Sequence, residues 1–394
     1  MLHITKTEYF EFSKKLISIN TVSKNTNLKC SSLIAEKLET LGFTVFIDSF
    51  IDQHGVSKSQ VIAKIGPDVK DGLILSGHID TVPFENQPGW DFDALKLQIK
   101  NDKLFGRGTC DMKLFIAQCI EVFSNIDLTK LKKPIVCIFT ADEEIGCLGS
   151  KHLKNNLPKI KKTILGDTPL PSRAIIGEPT SFDIINTHKG MVFFDLEING
   201  VAGHSSRPDL GRNSIEPLGK IISLINNLNL EFENNIDSNL KKLFPDFPLN
   251  YIHIATVTAG HALNMIPEKT KLQISYRCFP GQDTNFVFNR LKKELSNLEL
   301  SLSYSFKNYH EVPAMIVAQN IELEKCLQEV LQKDQLNSVS FATDGSFLSM
   351  LGIDCYVCGP GEIKMAHQPN EYMPLKDFIN GPKIIENILS KLLF

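Results

Sequence analysis

Apolar residues recur at helical spacing from about Tyr9 to Ile17 and again from Ser31 to Leu41, where Gly42 halts the pattern. Two amphipathic helices therefore precede a series of short apolar runs, residues 43–47, 61–65 and 73–78, that read as strands. After a loop holding Trp90 and a segment ending at Asp111, the spacing of Ile116, Ala117, Ile120 and Phe123 predicts a helix reaching about residue 123. Residues 135–139 then form the unbroken apolar run that a doubly covered parallel sheet buries. Strands alternating with helices predict an α/β sheet whose crevice lies at the carboxyl ends of its strands.

The pattern changes near Asn186. A strand over 191–198, a helix over 214–228 with Ile215, Leu218, Ile222 and Ile225 on one face, strands over 252–257 and 271–279, a helix over 285–295 and a strand over 300–306 follow in order. That order is βαββαβ, a split motif able to fold by itself. Residues 339–360 resume apolar strands of the first kind. The expected division is one domain built from 1–183 and 311–394, interrupted by an inserted unit over 184–310. The Asn-rich stretch 226–239 reads as a polar surface excursion of that unit.

A chain of 394 residues, 42% hydrophobic, is long enough for two ordinary cores. With 42 basic against 45 acidic residues its formal charge is -3, which offers nothing to nucleic acid or a membrane surface and leaves a small molecule as the expected partner. Nine cysteines, an odd number without framework spacing, point to reduced thiols in a cytoplasm. Cys355 and Cys358 match C-x-x-C but fall in an apolar run, so they read as core. Residues 1–9 carry charge where a signal peptide needs an apolar run, and no stretch of 18 apolar residues occurs, so a soluble, unexported protein is expected.

Chemistry gathers at the strand ends. His78 and Asp80, two positions apart in an extended segment, leave the same face, as a metal-ligating imidazole and the carboxylate behind it would. On spacing alone, a solvated His beside a turn Asp is the plainer alternative. Asp111 follows Gly106-Arg-Gly108, Glu143 and Glu144 follow the second buried strand, and Glu178 and His367 come later. Adjacent acids are commonly a solvated pair, but here one can ligate a cation while its neighbour faces the reacting water. His, Asp and Glu without nearby Cys ligands suit zinc or another divalent ion, and a shared carboxylate is the usual device of a two-metal site.

The blocks Ser76-Gly-His-Ile-Asp-Thr-Val-Pro83, Gly106-Arg-Gly-Thr-Cys-Asp-Met-Lys113, Thr140-Ala-Asp-Glu-Glu-Ile-Gly146 and Gly177-Glu-Pro-Thr180 resemble the metal-binding blocks of the M20 metallopeptidases. The resemblance spans nearly the whole chain. His188-Lys-Gly190, Gly203-His-Ser-Ser206, Gly211-Arg-Asn213, Asn264-Met-Ile-Pro267 and Cys358-Gly-Pro-Gly361 with Ala366-His-Gln-Pro-Asn-Glu-Tyr372 are similar to the deacetylase branch of that family. It implies a zinc-dependent exopeptidase-like catalytic domain with an inserted ferredoxin-like lid and dimerisation domain. It further implies two zinc ions, with cobalt or manganese as alternatives, bridged by Asp111. His78 and Glu178 would complete one site, and Glu144 and His367 the other. Glu143 would be the general base and Asp80 the residue orienting His78. His204 would reach from the small domain to the scissile carbonyl, and Arg277 with Asn264 would clamp the substrate carboxylate. Without the resemblance, His204 reads as a loop His and Arg277 as a strand Arg pairing a neighbouring acid.

The implied reaction is hydrolysis of an N-acyl amino acid by a homodimer. Its alternatives are a related amidohydrolase for another acyl group, including a desuccinylase, and a non-catalytic metal-binding interaction protein. Three departures from the family pattern stand out, the first being the absence of the usual Pro after the acidic stretch at Trp90, which leaves Asp91-Phe-Asp-Ala-Leu95. Leu114 replaces the Gly usual after Asp-Met-Lys, which puts the start of the following helix in question, and Asp344 stands where the deacetylase branch often has Glu, at a position expected to line the acyl or side-chain end.

Overall fold

The computed structural model describes residues 4–164, 166 and 168–394, so the first three residues of the charged amino-terminal stretch lie outside it. The chain divides into two compact units: residues 1–187, 316–337 and 343–394 form the first, and residues 188–315 with 338–342 form the second. These junctions lie a few residues beyond those expected. The return of 338–342 to the second unit has no counterpart in the sequence pattern.

In the first unit, the helix Glu8–Ser18 starts where the Thr7 hydroxyl accepts the Phe10 N–H at 3.1 Å, and it buries Tyr9, Phe10, Phe12, Leu16 and Ile17. The helix Leu28–Thr40 ends at Gly42, whose φ of +87° a side chain would resist. The first six strands of the eight-stranded sheet run in the order Thr44–Ile51, Ser57–Ile65, Ile135–Thr140, Leu73–His78, Arg173–Ile176, Asp354–Val357. Its four inner strands, from Ile135–Thr140 to Asp354–Val357, are parallel and the first two pair antiparallel. Every residue of Leu73–His78 and Ile135–Thr140 is buried, which is why both read as continuous apolar runs. Leu114 sits fully buried in the first turn of the helix Lys113–Asn125, packed into the main core, so the helix begins directly behind Asp111. Residues 339–360 are less strand-rich than expected, holding a short helix, Gly345–Ser349, before the strand Asp354–Val357. All nine cysteines are buried and free. No helix among the described residues is long and apolar enough to cross a membrane.

The second unit is a four-stranded antiparallel sheet in the order His253–Ala259, Lys269–Cys278, Gly190–Asn199, Ser303–Val312, with the helices Leu218–Asn234 and Phe286–Asn297. Val192, Phe194, Leu196 and Ile198 of the central strand pack on Ile221, Ile225 and Leu228 of one helix and Val287, Leu291 and Leu295 of the other. The first helix begins at Leu218, not Ser214, because Pro217 disfavours helical geometry at the residue before it. Its buried face is correspondingly rotated, and Ile215 and Ile222, expected inside, are exposed. The Asn-rich stretch is helical as far as Asn234, and Asp237 caps a further helix, Ser238–Leu243. Asn229 belongs there because its side chain both donates to the Ile252 carbonyl at 2.9 Å and accepts the Ile252 N–H at 2.8 Å.

Candidate metal centre

In the first unit the expected ligands arrive from the ends of neighbouring parallel strands or from loops beside them. His78 ends its strand in register with Thr140, and the turn after Thr140 carries Glu143 and Glu144. Ile176 ends the next strand and Glu178 follows Gly177, where a Cβ would lie 2.2 Å from the Phe115 ring, so only glycine lets the chain pass the helix there. Asp111 directly precedes the helix Lys113–Asn125, and His367 follows the turn Ile363–Met365.

Asp111 divides its two oxygens. Oδ1 lies 2.8 Å from His78 Nε2, which is 3.7 Å from Glu178 Oε1. Oδ2 lies 3.2 Å from His367 Nε2, which is 2.9 Å from Glu144 Oε2. Two triads result, His78–Asp111–Glu178 and Asp111–Glu144–His367, each with its ligand atoms within 4.8 Å of one another. Glu143 belongs to neither. Its carboxylate accepts the Cys147 thiol at 3.5 Å.

The electrostatics fit a divalent cation. Burial and the charge of Asp111 push the Glu144 carboxyl up to about 7 and hold Glu178 well above the carboxylate range. Burial, with Asp344 and Glu144 nearby, does the same to Glu143. Bonds to Asp111 and Glu144 raise His367 to about 10, and His78, although burial opposes its charge, is raised by Glu178 and Asp111. Mutually repelling buried oxygens that hold protons in this way, together with two imidazole nitrogens, form a donor set suited to a hard or borderline cation.

Asp80 behaves differently from expectation. His78 Nδ1 donates to the Asp80 backbone carbonyl at 3.0 Å, which turns Nε2 toward the site, while the nearest Asp80 carboxylate oxygen lies 3.6 Å away. That carboxylate instead accepts the Ser23 hydroxyl at 2.7 Å and the N–H groups of Glu143 at 3.1 Å and Glu144 at 3.2 Å, fixing the acidic pair. Asp344 is buried at the strand end, bonded by the Thr140 hydroxyl and close enough for its charge to act on Glu143, and it opens the helix Gly345–Ser349.

Sequence reasoning assigned no role to Glu371 and Arg107. Glu371 is buried, and its Oε1 accepts the N–H groups of Gly108, Cys110 and Asp111 at 3.0, 2.9 and 3.1 Å, while Oε2 pairs with Arg107 Nη1 at 2.7 Å. Both lie inside motifs already singled out. The available signal was a charged residue within a Gly-rich turn and an acid immediately after Pro369-Asn370.

In the second unit, Gly203–His204 pairs with Met265–Ile266 and the Ser205 N–H donates to the Asn264 carbonyl at 3.0 Å, so His204 and Asn264 are neighbours. The Ser206 N–H donates to His204 Nδ1 at 3.1 Å, leaving Nε2 to carry the proton of the neutral ring. Arg277 is elsewhere. Lys269 pairs with Asn199 at the end nearer His204, whereas Arg277 pairs with Met191 at the other, about 26 Å along the strand at roughly 3.3 Å per residue. One chain's Asn264 and Arg277 therefore do not meet on the same substrate carboxylate. Arg277 is half-buried beside His188 and Lys189 and has no ion-pair partner among the described residues, so the alternative of a neighbouring acid is not met. Burial and Arg277 lower Lys189 to about 8.

A family model described as peptidase family M20/M25/M40 matches residues 74–391. Acetylornithine deacetylase of Buchnera aphidicola is 33% identical over 398 residues, covering 98% of this chain and 97% of that protein. Acetylornithine deacetylase of Aliivibrio salmonicida is 32% identical over 400 residues, covering 98% of both. An M20 family metallo-carboxypeptidase of Sulfolobus solfataricus has a similar fold, with a TM-score of 0.74 at 20% identity over 98% of this chain and 99% of that one.

Proposed function

Because the chain belongs to peptidase family M20/M25/M40, and is thus a metal-dependent hydrolase acting on amide bonds, we propose that it deacetylates N2-acetyl-L-ornithine to L-ornithine and acetate, a step of arginine biosynthesis. The observation that carries the reading is Asp111, whose two oxygens serve different triads as a carboxylate bridging two cations would. His78 and Glu178 would hold one ion and Glu144 and His367 the other, with zinc the ion best suited to this donor set and cobalt or manganese alternatives. Bound there, the cations would polarise the scissile carbonyl and lower the pKa of a water towards neutrality. Glu143, free of both triads, takes the proton of the attacking water and delivers it to the departing amine. His204, with its proton on Nε2, donates to the carbonyl oxygen as negative charge grows there.

A half-buried Arg277 without an acidic partner among the described residues supports a substrate carboxylate as its counter-ion. The separation of Asn264 and His204 from Arg277 supports a site completed by a second copy of the chain. The second unit, ferredoxin-like in strand order, would then serve as dimerisation and lid domain. Its edge strand His253–Ala259 is largely exposed, and Val257 and Ile222 leave apolar surface for the partner.

The test is an assay across N-acetyl and N-succinyl amino acids. N2-acetyl-L-ornithine is expected to be hydrolysed far faster than its α-amide, with Arg277→Ala raising KM and lowering kcat for the free acid, since a misplaced amide loses its orientation. Equal rates on acid and amide would remove the clamp, and a preference for succinylated substrates would move the protein to the desuccinylases.

A further inference from the structure

A bonded chain joins the loops carrying Asp111 and His367, and the reaction proposed above makes no use of it. From Glu371, which holds the Asp111 loop, it passes to Arg107, whose Nη2 donates to Gln87 Oε1 at 2.7 Å. Gln87 Nε2 in turn donates to the backbone carbonyl of His367 at 2.8 Å. Trp90, the only tryptophan, donates its indole N–H to the same Gln87 oxygen at 3.1 Å, and the Arg107 guanidinium lies over its ring, 5.1 Å from the centroid.

His367 needs such support. Its φ of +63° is a conformation that non-glycine residues adopt only when their surroundings impose it. Its side chain is 52% exposed, against 6% and 5% for Asp111 and Glu144, so packing does little to fix it. Asn370 adds a tie on the same loop, accepting the Asp91 N–H at 2.8 Å and donating to the Gly89 carbonyl at 3.0 Å. The loop around Trp90 is thereby strapped to the His367 loop at both ends of a short segment.

We propose that Gln87 is a positioning residue for the Asp111–Glu144–His367 triad, setting the His367 backbone relative to the bridging carboxylate, and that Trp90 reports the occupancy of that triad. The inference rests on the two-cation reading of the site. Groups that orient ligands from behind commonly matter about 10- to 100-fold in metal affinity. A glutamine suits the task because its oxygen accepts from Arg107 and Trp90 while its nitrogen serves the His367 carbonyl.

The experiment titrates the full-length, chelator-stripped protein with Zn²⁺, following heat and tryptophan emission together. The wild type should bind two ions per chain, with emission changing as one of them binds. Gln87→Glu keeps an acceptor for Arg107 but sets a carboxylate against the His367 carbonyl, and Gln87→Leu removes both functions. Each should weaken one ion by about 10- to 100-fold and leave the other unchanged. In a His367→Ala background the same substitutions should cost nothing further. Two ions bound with wild-type affinity by both Gln87 variants would overturn the inference while leaving the two-cation reading intact, as would equal weakening of both ions with a lowered Tm. A single ion in the wild type would overturn the two-cation reading itself. Emission indifferent to both ions would remove the role given to Trp90.

Discussion

Replacing Glu143 by Gln is expected to lower kcat by about 100- to 10,000-fold while leaving the metal content of the protein unchanged. The expectation follows from the division of labour between two adjacent acids. Glu144 Oε2 sits 2.9 Å from His367 Nε2 within a triad, whereas Glu143 lies outside both triads with its peptide N–H held by Asp80. The amide of Gln preserves shape but cannot take a proton from water. Glu144→Gln should behave in the opposite way, losing an ion from the Asp111–Glu144–His367 triad. Turnover measured beside elemental metal analysis separates the two. A Glu143→Gln protein that loses an ion yet keeps its rate per bound ion would reverse the assignment of the pair.

The second large effect is a recovery. His204→Ala should cost about 100- to 1,000-fold, the usual loss when a donor to a developing oxyanion is removed. Mixed with inactive Glu143→Gln chains under conditions that exchange subunits, it should regain activity. In a mixed dimer, the chain with intact Glu143 receives His204 from its partner, giving one fully wild-type site of two and about half of wild-type activity per mixed dimer. The ground for acting in trans is internal to the second unit. His204 and Asn264 lie past one end of the central strand pair, and Arg277 lies at the other, where the chain enters at His188 and leaves at Met315. No recovery, with subunit exchange demonstrated, would mean that His204 serves its own chain.

Much of the catalytic sheet was legible because burial on both faces writes itself into sequence as an unbroken apolar run, as at Leu73–His78 and Ile135–Thr140. Among the candidate ligands, His78, Glu144 and Glu178 could be read because they end or closely follow buried strands, whereas Asp111 and His367 lie in turns and were legible through the family resemblance. The inserted unit was less legible in detail. Pro217 delays a helix that periodicity alone starts at Ser214, and Asn229 on that helix holds the backbone of Ile252, 23 residues away. That Asn264 and Arg277 of one chain lie too far apart to meet was not legible, because a motif list carries no information about which end of a strand each residue occupies. Glu371, Arg107 and Gln87 were missed for a related reason. Arg107 and Glu371 are 264 residues apart, and polar residues in loops look alike until the chain has folded. Asp80 was found, but its carboxylate holds the Glu143 and Glu144 backbone more closely than it approaches the imidazole it was expected to orient.

The central claim is that two cations bound through a shared Asp111 enable amide hydrolysis of an N-acetylated amino acid. It is tested most directly by titrating the metal-free protein with Zn²⁺ while measuring acetate release from N2-acetyl-L-ornithine. Release should be negligible without metal, and the rate should rise until two equivalents per chain are bound, with Asp111→Asn abolishing the rise. Hydrolysis at full rate in the metal-free protein, or no acetate at any loading, would contradict it.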